Sequence, residues 1–291
     1  MKIKKYAILF IAVISAMFMT SCATLSENWF LYPEQYSDLP VQNTGKITGE
    51  EVTITAKDGT KLSGIILKNG PSDDYLIYFY GNILSIKECA KRLYYLAAEY
   101  DLNIVCFDYR GYGKSGGKAT FDNLPLDAIG IYDFVRNTYL NEKSRMYMFT
   151  QSLGTVPGTY IGARRDFSGI IMEAPFTNAE EAVSQMTEGL IWPFKDIIKL
   201  KADDKLLAKK NQPIDNIKKF KAPLLIIHGE NDNLFPIKAG EKMYNKAGSN
   251  TKYFCRLRDT AHKDVNIFEG RAQAEIKAFF KKHKKPAKVK K

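Results

Sequence analysis

Short apolar runs alternate with amphipathic stretches over most of the chain. Most of these runs have the length and continuity that are typical of strands buried on both faces of a sheet. The predicted strands are Val52–Thr55, Leu62–Leu67, Tyr75–Tyr80, Asn103–Phe107, Arg145–Phe149, Gly169–Met172, Leu224–Ile227 and Tyr253–Leu257. Helical stretches between successive strands require crossover connections, so the pattern predicts a mainly parallel sheet with helices on both faces.

Local signals refine this picture at the first hairpin and at the helices. The first two strands alternate in polarity around an Asp58–Gly59 turn, which indicates a hairpin. Ser85 and Glu88 have the spacing of a capping box, and Cys89 lies on the apolar stripe of the helix that follows. The predicted helices are Ser85–Tyr100, Leu124–Tyr139, Gly154–Ala163 and Ala272–Lys281.

The N-terminus resembles the signal of a bacterial lipoprotein. Met1–Lys5 is positively charged, Tyr6–Met19 is apolar, and small residues precede Cys22 as in a lipobox. The apolar run is shorter than the ~20 residues that a membrane-spanning helix needs. We therefore expect Cys22 to be lipidated and the protein to be anchored to a membrane of the bacterial cell envelope, outside the cytoplasm. A plain secretory signal followed by an unmodified cysteine is the alternative.

The net charge of +11 comes from the two ends of the chain. Three lysines precede the apolar run, and seven lysines lie among the last eleven residues, where no acidic residue occurs. The rest of the chain has 33 basic and 32 acidic residues. A nearly neutral body argues against a nucleic-acid groove, so we expect no nucleic-acid partner.

Candidate chemistry follows the strands, because ligands meet the carboxyl ends of parallel strands. Ser152 lies on a tight turn between a strand and a helix, but a serine needs a base to act as a nucleophile. His262 is the best candidate base, since His283 lies in the lysine tail and His228 ends a strand and is interpreted as structural. Asp232, just past another strand, is the candidate that orients the base, and the order Ser, Asp, His is one of three common triad orders.

Five segments resemble an α/β-hydrolase, and within that superfamily the small serine-esterase and serine-aminopeptidase-like branch. They are Tyr78–Asn82, Phe107–Gly116, Gln151–Gly154, Ile226–Asp232 and Ala261–His262. The resemblance implies an α/β-hydrolase fold with a mostly parallel central sheet, helices on both faces and a small cap at about residues 176–219. The predicted division is a lipoprotein signal peptide at 1–21, a linker at 22–49, the α/β-hydrolase domain at 50–280 and a lysine-rich tail at 281–291.

The resemblance also implies an oxyanion hole formed by the backbone N–H groups of Asn82 and Leu153. Two positions depart from the family pattern. Thr150 stands where the family usually has glycine, and it demands extra room in the turn. Tyr80 stands where the family usually has histidine, which affects the expected shape of the substrate site more than its backbone donors.

These features predict a serine hydrolase that cleaves ester-type acyl bonds, with thioesters and amides as further candidates, through an acyl-enzyme on Ser152. The expected partners are a small acyl ester and, through the lipid anchor, a membrane; no cofactor and no metal are expected. A serine peptidase or an acyltransferase would use the same intermediate. The alternative from another class is a catalytically inactive α/β-hydrolase fold that serves as an envelope binding or scaffold protein. The sequence does not predict an oligomeric state.

Overall fold

The computed structural model describes residues 21–70, 72–188, 198–204 and 212–284. Within these ranges the chain forms ten strands and seven helices. Strands β1 to β10 are Ser21–Leu25, Ile47–Thr55, Lys61–Asn69, Asp74–Phe79, Asn103–Phe107, Arg145–Gln151, Gly169–Glu173, Ile198–Ala202, Leu224–Gly229 and Lys252–Leu257. Helices α1 to α7 are Ile86–Tyr100, Asn123–Tyr139, Thr155–Gly162, Ala179–Glu188, Pro213–Asn216, Ile237–Lys246 and Gly270–His283.

Eight strands form the central sheet, in the order β10-β9-β7-β6-β4-β5-β3-β2. Strand β3 pairs antiparallel with both β2 and β5, and all other neighbours in this sheet are parallel. Helices lie on both sides of the sheet. The predicted fold class, a mostly parallel α/β-hydrolase sheet, is confirmed. The predicted hairpin is also present, with longer strands than the alternation indicated.

The start and the buried face of helix α1 agree with its predicted capping box and apolar stripe. Ser85 is its N-cap, and the hydroxyl accepts a hydrogen bond from the Lys87 N–H at 3.2 Å. The Glu88 carboxylate accepts a hydrogen bond from the same hydroxyl. Cys89 is buried on the face that packs against the sheet, as its place in the apolar stripe predicted. The cap and the stripe together fix where the helix starts, directly after the loop that carries Asn82.

The segment at 22–49 is not a linker, which corrects the prediction. Leu25, Phe30, Leu31 and Leu39 are buried in the core, and β2 already begins at Ile47. Strand β1 pairs with β8 in a separate two-stranded parallel sheet. The sequence pattern missed this packing because the segment's apolar residues are scattered among polar ones and follow neither a helical nor a strand period.

The lysine-rich tail also begins later than predicted. Helix α7 continues to His283, because Phe279 and Phe280 are buried and hold its last turn on the core. His283 lies against the Phe279 ring, with ring centroids 4.9 Å apart. Lys284 donates to the backbone oxygens of Tyr100 and Asp101 at 2.8 and 2.6 Å. The remaining tail, 285–291, lies outside the described residues.

Two other predictions fall partly or wholly outside the described residues. Residues 1–20 of the predicted signal peptide (1–21) are outside them, and so are 189–197 and 205–211 of the predicted cap. The described part of the cap contains α4, β8 and α5. Searched within the described ranges, the helices include none that is both long and apolar enough to cross a membrane.

Candidate active site

Ser152 lies directly after β6, on the turn that leads into α3. Its backbone has a φ of 49°, a left-handed conformation that is uncommon for a residue other than glycine. Gly154 makes the turn feasible, since a Cβ at that position would overlap the carbonyl oxygen of Phe79 on β4. The serine side chain is 8% exposed. The turn therefore holds the Ser152 hydroxyl at the carboxyl edge of the sheet.

The structure brings the three predicted side chains together. His262, in the loop after β10, has its Nε2 atom 3.0 Å from Ser152 Oγ. Its Nδ1 atom lies 2.7 Å from Oδ2 of Asp232, which follows β9. A carboxylate can only accept, so Nδ1 carries the proton and donates it to Asp232. In the neutral ring Nε2 is then free to accept the hydroxyl proton of Ser152.

Asp232 is held as an anion by donors on both oxygens. Burial alone would raise its pKa, but hydrogen bonds from His228, His262 and the Phe235 N–H outweigh burial and hold the pKa well below its usual range. Oδ1 accepts from the backbone N–H groups of Leu234 and Phe235 at 3.0 and 2.8 Å. These contacts hold the carboxylate in place beside His262.

His228 was interpreted as structural, and the structure gives it a contact with the site. Its ring is fully buried, and Nε2 lies 2.7 Å from the Phe235 carbonyl oxygen and 3.2 Å from Oδ2 of Asp232. Both neighbours of Nε2 are acceptors, so this nitrogen carries the proton. The four-residue spacing between His228 and Asp232 across the end of β9 was the signal available in the sequence.

A substitution at Asp232 should change how stability depends on pH. The folded-state pKa lies below the unfolded-state value of about 4, so the carboxylate stabilises the fold above that value and loses its contribution as the pH falls towards the folded-state pKa. Asp232→Asn should therefore lower the free energy of unfolding by about 2 kcal/mol at pH 5. Urea unfolding of both proteins at pH 5 and pH 3 should show the difference shrinking at the lower pH; a constant difference would contradict the assignment.

The residues predicted for the oxyanion hole lie beside Ser152. A Cβ added to Gly81 would be 3.4 Å from the Ser152 Cβ, so the loop after β4 approaches the turn closely. The side-chain oxygen of Asn82 accepts from the Tyr32 N–H and from the Tyr112 hydroxyl, both at 3.1 Å. Asn82 is thus fixed by two hydrogen bonds, in the loop that approaches Ser152.

A cavity of about 170 Å³ opens at Ser152. Its lining is mainly apolar and comes from five separate parts of the chain. The lining residues are Phe30, Tyr32, Asn82, Ile83, Ser152, Leu153, Phe176, Leu234 and Phe235. Both residues of the predicted oxyanion hole are included, so the cavity adjoins Ser152 and the two predicted donors.

The two departures from the family pattern have local explanations. Thr150 is fully buried, and its methyl group occupies the space that a side chain at Gly158 would fill. Tyr80 is buried as well, and its hydroxyl donates to Oδ1 of Asp108 at 3.1 Å. Its side chain points into this network and is not part of the lining of the cavity at Ser152, so it makes no direct contact with that cavity.

The close contact between Thr150 and Gly158 predicts that the effect of Gly158→Ala on stability changes sign when Thr150 is replaced by glycine. Gly158→Ala should destabilise the protein by about 2 kcal/mol, although alanine favours helices, because the new methyl group overlaps Thr150. In the Thr150→Gly background the same change should be neutral or stabilising. Gly130→Ala on α2, where a Cβ meets nothing within 4 Å, is the control and should stabilise both backgrounds. Thermal unfolding measures all of these variants, and equal effects of Gly158→Ala in both backgrounds would refute the fit.

A buried ion pair that the sequence did not reveal connects the parts of the site. Arg92 on α1 bonds to Glu173 at the end of β7 at 2.6 Å, and it donates to the Val265 carbonyl oxygen at 3.2 Å. The other oxygen of Glu173 accepts from the side chain of Gln151 at 3.1 Å. Gln151 precedes Ser152, and Val265 lies three residues after His262. The pair therefore links the serine turn to the histidine loop.

Comparisons with known proteins agree with this architecture. A family model described as serine aminopeptidase, S33, matches residues 76–202. Alpha/beta hydrolase domain-containing protein 17B of Homo sapiens is 25% identical over 259 residues, which cover 89% of this chain and 84% of that protein. The uncharacterized protein YfhR of Escherichia coli K12 is 28% identical over 248 residues, covering 82% and 81%.

Solved structures share the fold at lower sequence identity. The Pyrococcus furiosus esterase Pf2001 superposes with a TM-score of 0.68 at 21% identity, covering 87% of this chain and 99% of that one. The acetyl xylan esterase from Paenibacillus sp. R4 has a TM-score of 0.65 at 14% identity, covering 85% and 87%. The chain has the α/β-hydrolase fold, and over most of its length its sequence is similar to that of an alpha/beta hydrolase domain-containing protein.

Proposed function

We propose that the protein is a serine hydrolase that cleaves ester-type acyl bonds through an acyl-enzyme on Ser152. The observation that carries this proposal is the continuous hydrogen-bond chain from Ser152 through His262 to Asp232, at 3.0 and 2.7 Å. An ionised carboxylate at one end of the chain orients the imidazole so that its free nitrogen faces the hydroxyl. Solved esterases with the same fold add support.

The first half of the reaction forms the acyl-enzyme. Ser152 Oγ attacks the carbonyl carbon of the ester while His262 Nε2 takes the hydroxyl proton. The carbonyl oxygen becomes an oxyanion, for which the backbone N–H groups of Asn82 and Leu153 are the proposed donors. His262 then gives its proton to the leaving oxygen, and the bond between that oxygen and the carbonyl carbon breaks. An alcohol departs, and the acyl group stays on Ser152.

The second half repeats these roles with water. His262 takes a proton from water as the water oxygen attacks the acyl carbon. When the tetrahedral intermediate collapses, the proton returns to Ser152 and a carboxylic acid is released. Asp232 keeps its negative charge throughout and stabilises the imidazolium in each half-reaction. None of these steps calls for a group beyond the side chains and backbone already described.

A serine peptidase is the second candidate, because the matching family model is that of a serine aminopeptidase. Rates of the purified protein on p-nitrophenyl butyrate and on aminoacyl p-nitroanilides separate the two functions. We expect faster ester hydrolysis, and a reversed preference would favour the peptidase. Partitioning of the acyl group to an added alcohol would indicate an acyltransferase. No turnover of either substrate, together with no labelling by a fluorophosphonate, would support the inactive scaffold.

The lipid anchor at Cys22 also remains a proposal. It is supported by the positively charged start, the apolar run and the small residues before the cysteine. It would hold the protein at a membrane of the cell envelope, where its ester substrates would have to be accessible.

A further inference from the structure

The segment Phe30–Tyr36, which we call the N-terminal strap, contributes two side chains to the lining of the cavity at Ser152. Phe30 and Tyr32 line the cavity together with Ile83 and Leu234. Tyr32 is 46% exposed and Ile83 is 68% exposed, so the two form an apolar rim that is open to solvent. The strap comes from the N-terminal side of the domain and not from the predicted cap.

The strap is bonded to the loop that carries the proposed oxyanion hole. The Tyr32 N–H donates to the side-chain oxygen of Asn82 at 3.1 Å. The backbone of Glu34 accepts from the Gly113 N–H at 2.7 Å, next to the bridge between Gln35 and Gly113. Phe30 packs against the Phe121 ring, with centroids 5.8 Å apart. The strap is thus seated along its whole length.

Asp108 anchors the end of the strap in the interior. One carboxylate oxygen accepts from the Tyr36 hydroxyl, and the other accepts from the Tyr80 hydroxyl at 3.1 Å and the Ile86 N–H at 3.0 Å. Gly113 provides the space, since a Cβ there would overlap both Asp108 and Tyr36. A single buried carboxylate therefore joins the strap to both ends of the loop that contains Asn82.

The position of His262 indicates which part of a substrate the strap would contact. In the proposed reaction His262 gives its proton to the leaving group, so the leaving group must lie beside the His262 Nε2 atom. The cavity lining includes Ser152, Asn82 and Leu153 but not His262. Phe235 of the lining packs against the His262 ring, with centroids 5.3 Å apart, so the cavity adjoins the histidine without including it. A leaving group beside Nε2 leaves this cavity for the acyl chain in the proposed reaction.

We propose that Phe30 and Tyr32 are specificity-determining residues, and that the strap forms the wall that limits the length of the acyl chain. This inference rests on the proposed ester hydrolysis. It goes further by naming the residues that contact the acyl chain of the substrate. The Tyr36–Asp108 bond is the positioning contact that keeps the wall in place.

Tyr32→Ala tests the wall directly, because the side chain is half exposed and its backbone bond to Asn82 is kept. We expect the ratio of kcat/KM for p-nitrophenyl octanoate to that for the acetate to rise by at least about 4-fold, the factor that one further buried methylene provides. Phe30→Leu should shift the ratio in the same direction. Leu126→Ala, at an exposed apolar residue outside this cavity, is the matched control and should leave the ratio unchanged.

Tyr36→Phe tests the positioning contact. Loss of one hydrogen bond to the strap should raise KM for p-nitrophenyl butyrate about 5-fold with a smaller change in kcat. A role in stability alone would lower Tm without raising KM, which would contradict the positioning role.

The possible results separate the two proposals. If the wild-type protein hydrolyses the esters and both wall variants keep its chain-length profile, or shift it towards shorter chains, the inference about the strap is wrong and the proposed function stands. If the wild-type protein hydrolyses no ester in the series, the proposed function fails and the inference fails with it.

Discussion

Replacing Ser152 with alanine is expected to lower kcat/KM for p-nitrophenyl butyrate by at least about 10⁴-fold. The attacking oxygen is removed, while Asn82, Leu153 and the cavity remain, so any residual rate would come from substrate binding and the oxyanion donors alone. The fold should survive, because the Ser152 hydroxyl bonds only with His262 in the described residues and the turn depends on Gly154. Circular dichroism and Tm of the variant would check this.

Wild-type turnover by the Ser152→Ala variant would place the nucleophile elsewhere. Thr155 offers a comparison, because it is a fully buried hydroxyl residue only three positions away at the start of α3. Thr155→Val should leave kcat within about 3-fold of wild type, as expected for a residue outside the hydrogen-bond chain. A large loss in that variant and none in Ser152→Ala would reverse the assignment.

Removing the base should have an effect of similar size. His262→Ala is expected to lower kcat by about 10⁴-fold or more while KM changes little, since the ring acts on protons in the transition state. The Ser152→Ala/His262→Ala double variant should be no slower than either single variant, because the two side chains act as one unit. Steady-state rates on p-nitrophenyl butyrate measure all three proteins.

Additive losses in the double variant would mean that the two side chains act independently. His283→Ala is the matched control, since it removes another imidazole that lies on α7 against Phe279 and Tyr253. It should leave kcat unchanged and affect only stability. A loss of activity with His283→Ala but not with His262→Ala would identify a different base.

Much of the fold could be predicted because the central strands are buried on both faces. The run at Asn103–Phe107 matches β5 residue for residue, and Ser85 is the N-cap that its sequence spacing indicated. Strand β6 extends two residues further than predicted, to Gln151, because polar residues at its end do not carry the apolar signal. The pairing of β1 with β8 joins residues far apart in the sequence, and periodicity contains no information on such contacts.

The candidate site also contains residues that could be predicted from the sequence and contacts that could not. Three residues could be proposed as a triad from strand ends and chain order, and the structure places them within hydrogen-bond distance. The contacts that support them could not be predicted, since Tyr36 meets Asp108 across 72 positions and Arg92 meets Glu173 across 81. Such buried polar contacts depend on how the helices and loops pack over the sheet, which a local sequence pattern does not determine.

The most direct measurement of the central claim is the site of covalent labelling by a fluorophosphonate. The reagent phosphonylates a serine only where a base has activated it and donors stabilise the developing negative charge. Peptide mass spectrometry of the labelled full-length protein should find the phosphonyl group on Ser152, and Asp232→Asn should slow the labelling. A folded protein that takes up no label, or takes it up at another residue, would contradict the account.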